Sequence, residues 1–229
     1  GDMGAFSFNI FKVINAGDGG LLVTDNEDLY ERAFAFHDQG HKPLRKGVEI
    51  GHRNVIGINL RMNELTGAYL LGQLEKLDEI LATLRRKKAA LKQAIIDRLG
   101  NHEDYFSFRT VHDPEECATL LTATFPKREL AAAVADALGT KTLEKSGWHV
   151  YNNMEHLLAA TDAQGNQFMR RNELPRTDDI LQRSINLSVG VVDPGIGADD
   201  GINITSGEQE IASAADRFTT AIRSVFAND

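Results

Sequence analysis

An α/β fold is predicted by three observations in the 229-residue sequence. Short runs of aromatic and β-branched residues, at 4–11, 119–125 and 184–192, read as strands. Between them, apolar residues recur at helical spacing, over the longest distance from Met62 to Leu99. A closing segment, 206–226, carries a helix-start signal: Ser206 as N-cap, with Gln209 three residues on.

Composition narrows the class. A hydrophobic share of 42% and a charged share of 25% suit a soluble globular chain. The net charge of −8 argues against general nucleic-acid binding, which rests on neutralising phosphates. It leaves room for a local basic pocket. Cys117 is the single cysteine, so a disulfide framework and a cysteine zinc site are excluded, and a reducing cytoplasm fits. No apolar run reaches the length of a membrane span. The chain opens abruptly inside a strand-like run and reads as the later part of a longer protein.

Taken in order, Phe6, Phe8, Ile10 and Phe11 make 4–11 a short buried strand. Lys12 follows where burial is expected. Gly17, Gly19 and Gly20 supply a tight turn, and Leu21 to Thr24 a returning strand. A lysine beside such a turn is either a catalytic amine or a surface lysine at a hairpin edge. The local pattern alone favours the surface lysine. Asp25 or Asn26 caps a helix to about Phe36, with Leu29, Ala33 and Phe36 on one face, and Gly40 breaks it.

The segment 41–57 is rich in glycine and holds Lys42, Arg45, Lys46, His52 and Arg53. It is either a solvated loop or an arm that meets an anionic ligand or a partner subunit. The helical pattern at 63–100 reads as a long linking helix, and its run Arg85–Lys88 as a solvated face. A small α/β domain follows over 101–229: a strand at 119–125, a helix at 127–138, a short helix ending at 179–182, a strand at 184–192, and the closing helix. The loop 193–203 is set by its Pro and Gly content.

Other chemistries fit poorly. His37 and His41 have metal-ligand spacing, but Gly40 ends the helix between them and no acidic third ligand is in register. Asp199, Asp200, Gly201 and Asn203 lack the alternation of a calcium loop. The glycines near Lys12 match neither a phosphate-loop nor a dinucleotide fingerprint. Cys117 reads as a core residue at the start of a strand. His149 and Tyr151, in GWHVYNN, read equally as site or packing residues.

Several segments together resemble the DegT/DnrJ/StrS family of sugar aminotransferases, which use pyridoxal 5′-phosphate. They are GDMGAFSFNIFKVINAGDGGLLVTDN, FAFHDQGHK, NLRMNELTGAYLLGQLEKLDEI, SGWHVYNN and LPRTDDILQRSINLSV, in the family's order. The resemblance covers essentially the whole chain. It implies the C-terminal part of a fold-type-I aminotransferase: the remainder of the large cofactor domain at 1–62, the linking helix at 63–100 and the small domain at 101–229.

By position, the resemblance makes Lys12 the catalytic Schiff-base lysine, Ser7 a phosphate contact, and Asn59 a contact to the phosphate of a neighbouring subunit's cofactor. Asn9 falls near the cofactor, and Arg53, His149 and Tyr151 near the substrate. A homodimer with composite sites, glutamate as donor and a keto sugar as acceptor follow from the same resemblance. The wording FKVINAGDGG, HDQGHK and GWHVYNNMEHLL is most like the branch making 8-amino-8-deoxy-Kdo, an amino sugar acid of lipopolysaccharide. Leu60, Asn63 and Asp18 depart mildly from the family's usual aromatic, Ser and Glu. The family's phosphate-gripping glycine loop, ring-stacking aromatic and pyridine-pairing Asp are expected before Gly1. Two further readings stay open: a family member or isolated fragment that dimerises without catalysing, and a small non-enzymatic interaction domain.

Overall fold

Gly4–Ser7 (β1) and Gly20–Val23 (β2) pair antiparallel, with Gly4 opposite Val23 and Ser7 opposite Gly20. The computed structural model describes residues 1–43, 55–147, 149–190 and 200–227. The chain divides into two compact units, Gly1–Leu77 and Asp78–Asp229. Mixed α/β structure is present, as predicted.

In the first unit the ribbon is shorter than the expected strand, and its side chains are largely exposed, Phe6 at 57%. Among the described residues the sheet holds two strands, and so narrow a ribbon buries little of either face. Burial begins just beyond, where Phe8 and Ile14 pack on Leu70, with Ala16 and Leu77 beside them. Phe8 N–H donates to Gly19 O at 2.9 Å, and Ala16 N–H to Phe8 O at 2.9 Å, closing the loop between the strands. Gly19 has φ +118°, a conformation that side chains resist, and a Cβ there would sit 3.0 Å from Met62 Cε.

Glu27–His37 (α1) starts where Asn26 Oδ1 accepts Leu29 N–H at 3.1 Å. The face of Leu29, Ala33 and Phe36 is not the buried one: Leu29 and Ala33 are half-buried and Phe36 is exposed, while Ala35 is buried. The periodicity read over 63–100 is carried by two helices, Glu64–Leu74 (α2) and Leu77–Leu99 (α3). Asn63 caps α2 through Thr66 N–H at 2.9 Å.

The second unit holds an antiparallel sheet in the order β3 (Ser107–Phe108), β4 (Leu120–Thr124), β5 (Ser184–Ser188). Arg128–Leu138 (α4), Glu155–Ala159 (α5), Pro175–Arg183 (α6) and Glu208–Phe226 (α7) complete it. Its core joins Leu91 and Ile95 of α3, Val134 of α4, Ile185 and Leu187 of β5, and Phe218 and Ile222 of α7. Phe106 packs on Phe125 and Phe218 at ring-centroid distances of 5.7 and 5.5 Å. No helix among the described residues is long and apolar enough to cross a membrane.

Three expectations are corrected here. The Arg85–Lys88 run is a solvated face only at Arg86: Arg85 Nε donates to Glu116 O at 2.9 Å, Lys87 to Ser206 O, and buried Lys88 pairs with Glu116. The cations are spent tethering the loop before β4 and the turn before α7. Cys117 is exposed, because β4 starts three residues later and Ala118, at φ +58°, takes the buried place. The cap of α7 is Gly207, whose N–H donates to Glu210 Oε2 at 2.9 Å. Ser206 Oγ instead accepts Asn203 N–H at 3.0 Å in the preceding turn.

Removing Lys88 leaves the largely buried Glu116 carboxylate, among the described residues, with Arg109 alone, at 3.4 Å. Lys88→Ala is expected to cost about 1–3 kcal/mol in denaturant unfolding. Arg98, hydrogen-bonded to Asp216, holds that carboxyl below the usual carboxylate range. A carboxyl lowered on folding stabilises above its unfolded pKa, about 3.9, and that stability is lost as pH falls through the folded value. Asp216→Asn therefore flattens the acid limb of thermal stability below about pH 4 and leaves its shape near neutrality unchanged.

Candidate active site

Lys12 lies on the loop between β1 and β2, and its position follows from the residues on either side. Phe8 and Ile14 turn inward onto Leu70, so the five residues between them are forced outward. Lys12 is exposed, as the local pattern favoured, although the apolar run before it pointed to burial. The loop is a built turn: Asn9 Oδ1 accepts Phe11 N–H at 3.2 Å, and Asn9 O accepts Lys12 N–H at 2.9 Å. Lys12 O in turn accepts from the Asn15 amide at 3.2 Å. Ser7 Oγ accepts Asn9 N–H at 3.3 Å. One hydrogen-bonded stretch therefore joins Ser7, Asn9 and Lys12, and Lys12 Nζ pairs with no carboxylate among the described residues.

Asn59 is placed by different means. The segment 57–60 is laced to the end of α1: Ile58 N–H donates to Phe36 O at 2.8 Å and Leu60 N–H to His37 O at 2.9 Å. Asp38 and Asn59 form an antiparallel bridge. The approach is so close that a Cβ on Gly57 would lie 2.3 Å from Ala35 O. Asn59 itself is exposed, and its Oδ1 accepts from Arg61 N and Nε. Sequence reasoning missed Arg61 and the buried Asp38 as members of this cluster. The available signal was an acid directly after the last helical turn, followed by Gln39 and Gly40, both at positive φ.

The remaining candidates lie elsewhere. His149 and Tyr151 belong to the second unit. His149 is exposed. Tyr151 is committed to packing: its hydroxyl donates to Asp178 Oδ2 at 2.8 Å and accepts Leu174 N–H at 3.1 Å. Burial, offset in part by the Leu174 N–H, pushes the phenol up. Asn152 donates to the other Asp178 oxygen at 3.0 Å, so this network ties 151–152 to α6. Arg53, most of the basic segment, Trp148, Val191, Val192 and the glycine-rich loop through 199 lie outside the described residues.

The chain belongs to the DegT/DnrJ/EryC1/StrS aminotransferase family, whose model matches residues 1–193. It is 33% identical over 139 residues to GDP-perosamine synthase of Escherichia coli O157:H7, a match covering 60% of this chain and 36% of that one. It is 34% identical over 102 residues to UDP-4-amino-4,6-dideoxy-N-acetyl-beta-L-altrosamine transaminase of Helicobacter pylori, covering 44% and 25%. Its fold matches DesI, solved in the presence of its TDP-sugar product, with a TM-score of 0.65 at 22% identity, over 100% of this chain and 52% of that one. The chain thus spans about half the length of such a solved relative.

Enzymes of this family depend on pyridoxal 5′-phosphate, and the donor set here fits that cofactor. It offers one unpaired primary amine for an aldehyde and neutral O–H and N–H donors for a phosphate. Gly57→Ala is expected to push the Asn59 segment off α1. Hydrogen exchange at the Ile58 and Leu60 amides accelerates at least tenfold if the 2.3 Å clash is relieved by parting the two segments.

Proposed function

We propose that the protein containing this chain moves an amino group from glutamate to a keto sugar, with pyridoxal 5′-phosphate held at Lys12. The observation that carries this reading is the exposed Lys12 amine on a loop pinned at both ends and bonded through Asn9 to Ser7. When bound, the cofactor supplies a reactive aldehyde and an electron-withdrawing ring. Lys12 Nζ is the nucleophile toward that aldehyde, and once released it is the base that takes and returns the proton at the substrate's amine-bearing carbon. Ser7 Oγ, already accepting from Asn9, keeps its own O–H to donate to a phosphate oxygen. Asn9 holds the turn through its side-chain oxygen, which leaves its amide N–H₂ as a supporting donor.

Asn59 donates its N–H₂ to the phosphate held by a second copy, which makes the enzyme a homodimer with shared sites. Leu65, Tyr69 and Leu71 of α2, all exposed, support a covered surface there. Arg53, His149 and Tyr151 are carried as substrate contacts on the family resemblance, with Tyr151 acting through its aromatic face because its hydroxyl is engaged. A lone exposed cysteine suits a reducing cytoplasm.

The relatives' names speak of GDP-, UDP- and TDP-linked sugars and support the broad class of acceptor. The finer reading, the 8-keto form of Kdo in lipopolysaccharide synthesis, rests on the wording of FKVINAGDGG, HDQGHK and GWHVYNNMEHLL. The basic segment 41–53 suits a carboxylated sugar in the same way.

Borohydride reduction of the whole protein loaded with cofactor, followed by peptide mapping, is expected to leave a pyridoxyl group on Lys12. A label on another lysine overturns the assignment. Lys12→Ala is expected to lower transamination by at least about 10³-fold, the scale of a lost acid–base and covalent catalyst.

A further inference from the structure

Asn59 and Arg61 stand two residues apart on the segment laced to α1. Asn59 Oδ1 receives two N–H donors, Arg61 N at 3.2 Å and Arg61 Nε at 3.1 Å. A guanidinium N–H can only donate, so the atom facing it is the carboxamide oxygen, and the amide N–H₂ takes the opposite direction. Arg61 Nε also lies 3.3 Å from Asp38 Oδ1; the Asp38 side chain is 5% exposed and that of Arg61 49%. Asp38 is the residue bridged to Asn59 through the backbone. A buried carboxylate thus lies beside the guanidinium as its ion-pair partner, the single Nε–H is given to the carboxamide oxygen, and an exposed N–H₂ is left for another acceptor.

We propose that Arg61 is a positioning residue that makes Asn59 a one-directional donor to an anionic oxygen, the phosphate end of the cofactor. The proposal rests on the reading of Asn59 as a phosphate contact. An unclamped carboxamide turns either its N–H₂ or its oxygen toward an anion, and the oxygen repels it. Holding Oδ1 removes the repelling orientation before the anion arrives, which is preorganisation in the sense that raises affinity without a new contact. Asp38 adds direction: without a buried anion beside it, a half-exposed arginine has no reason to fold back along its own segment.

The test uses the whole protein and two ligands that differ only in the phosphate, pyridoxal 5′-phosphate and pyridoxal, titrated by absorbance. The ratio of their dissociation constants reads phosphate recognition alone. Asn59→Ala is expected to reduce that ratio roughly tenfold, the scale of a hydrogen bond to a charged group. Arg61→Ala reduces it about three- to fivefold, leaves pyridoxal affinity unchanged, and has no further effect when Asn59 is already Ala. Arg61→Lys keeps a donor for Asn59 and a charge for Asp38, and recovers most of the ratio. If Arg61→Ala does not fold, Arg61→Gln carries the same test.

Equal weakening of both ligands by Arg61→Ala makes the residue structural and overturns the proposal. A further fall in the Asn59→Ala background makes Arg61 a direct phosphate contact and overturns it as well. An Asn59→Ala variant with an unchanged ratio removes the reading of Asn59 itself, a failure separate from a failure of the clamp.

Discussion

The placement of Lys12 depends on one small hydrophobic contact, Phe8 and Ile14 against Leu70. A two-stranded ribbon is marginal in water by itself. Anchoring the loop at both ends to α2 gives the ribbon a floor and leaves the intervening residues no inward direction. Exposure of Lys12 is therefore a consequence of what its neighbours bury. The same contact explains why Asn9 spends its carbonyl and its side-chain oxygen on the loop: with five residues to turn between two anchors, the chain needs local acceptors for Phe11 and Lys12 N–H.

Charges in this chain act more through direction than through stability. Asp38, Arg61 and Asn59 form a short relay in which a buried acid sets the side chain two residues beyond its bridged partner. In the second unit Arg85, Lys87 and Lys88 reach backbone carbonyls and one carboxylate, tethering the loop before β4 and the turn before α7. Long cationic side chains suit both jobs, since their stems pack while their heads choose acceptors.

Family membership gives these local facts a common purpose. The loop bearing Lys12 and the segment bearing Asn59 are stabilised independently, one by side-chain burial and the other by backbone hydrogen bonds to α1. Both keep their polar ends exposed, Ser7, Lys12 and Asn59 among them. The proposed site asks each piece to be rigid by itself, because rigid elements are what hold reacting groups in place.

Periodicity and caps were enough to read most of the elements: the hairpin glycines, a cap at Asp25 or Asn26, the strand read at 119–125 and found at 120–124, and the helix read at 127–138 and found at 128–138. These are local signals, decided within a few residues by φ, hydrogen bonding and apolar spacing. The motif around Lys12 was legible as well, because a lysine beside a glycine turn is written contiguously. Burial was not. Phe6 was expected inside and lies outside, Cys117 was expected in the core and is exposed, and Lys88 was expected in solvent and is buried. Each of these outcomes depends on which element packs over the residue, a partner many positions away in the chain. Arg61 and Asp38 stayed hidden for the same reason: their 23-residue separation says nothing of contact until the segment after Gly57 is folded back onto α1.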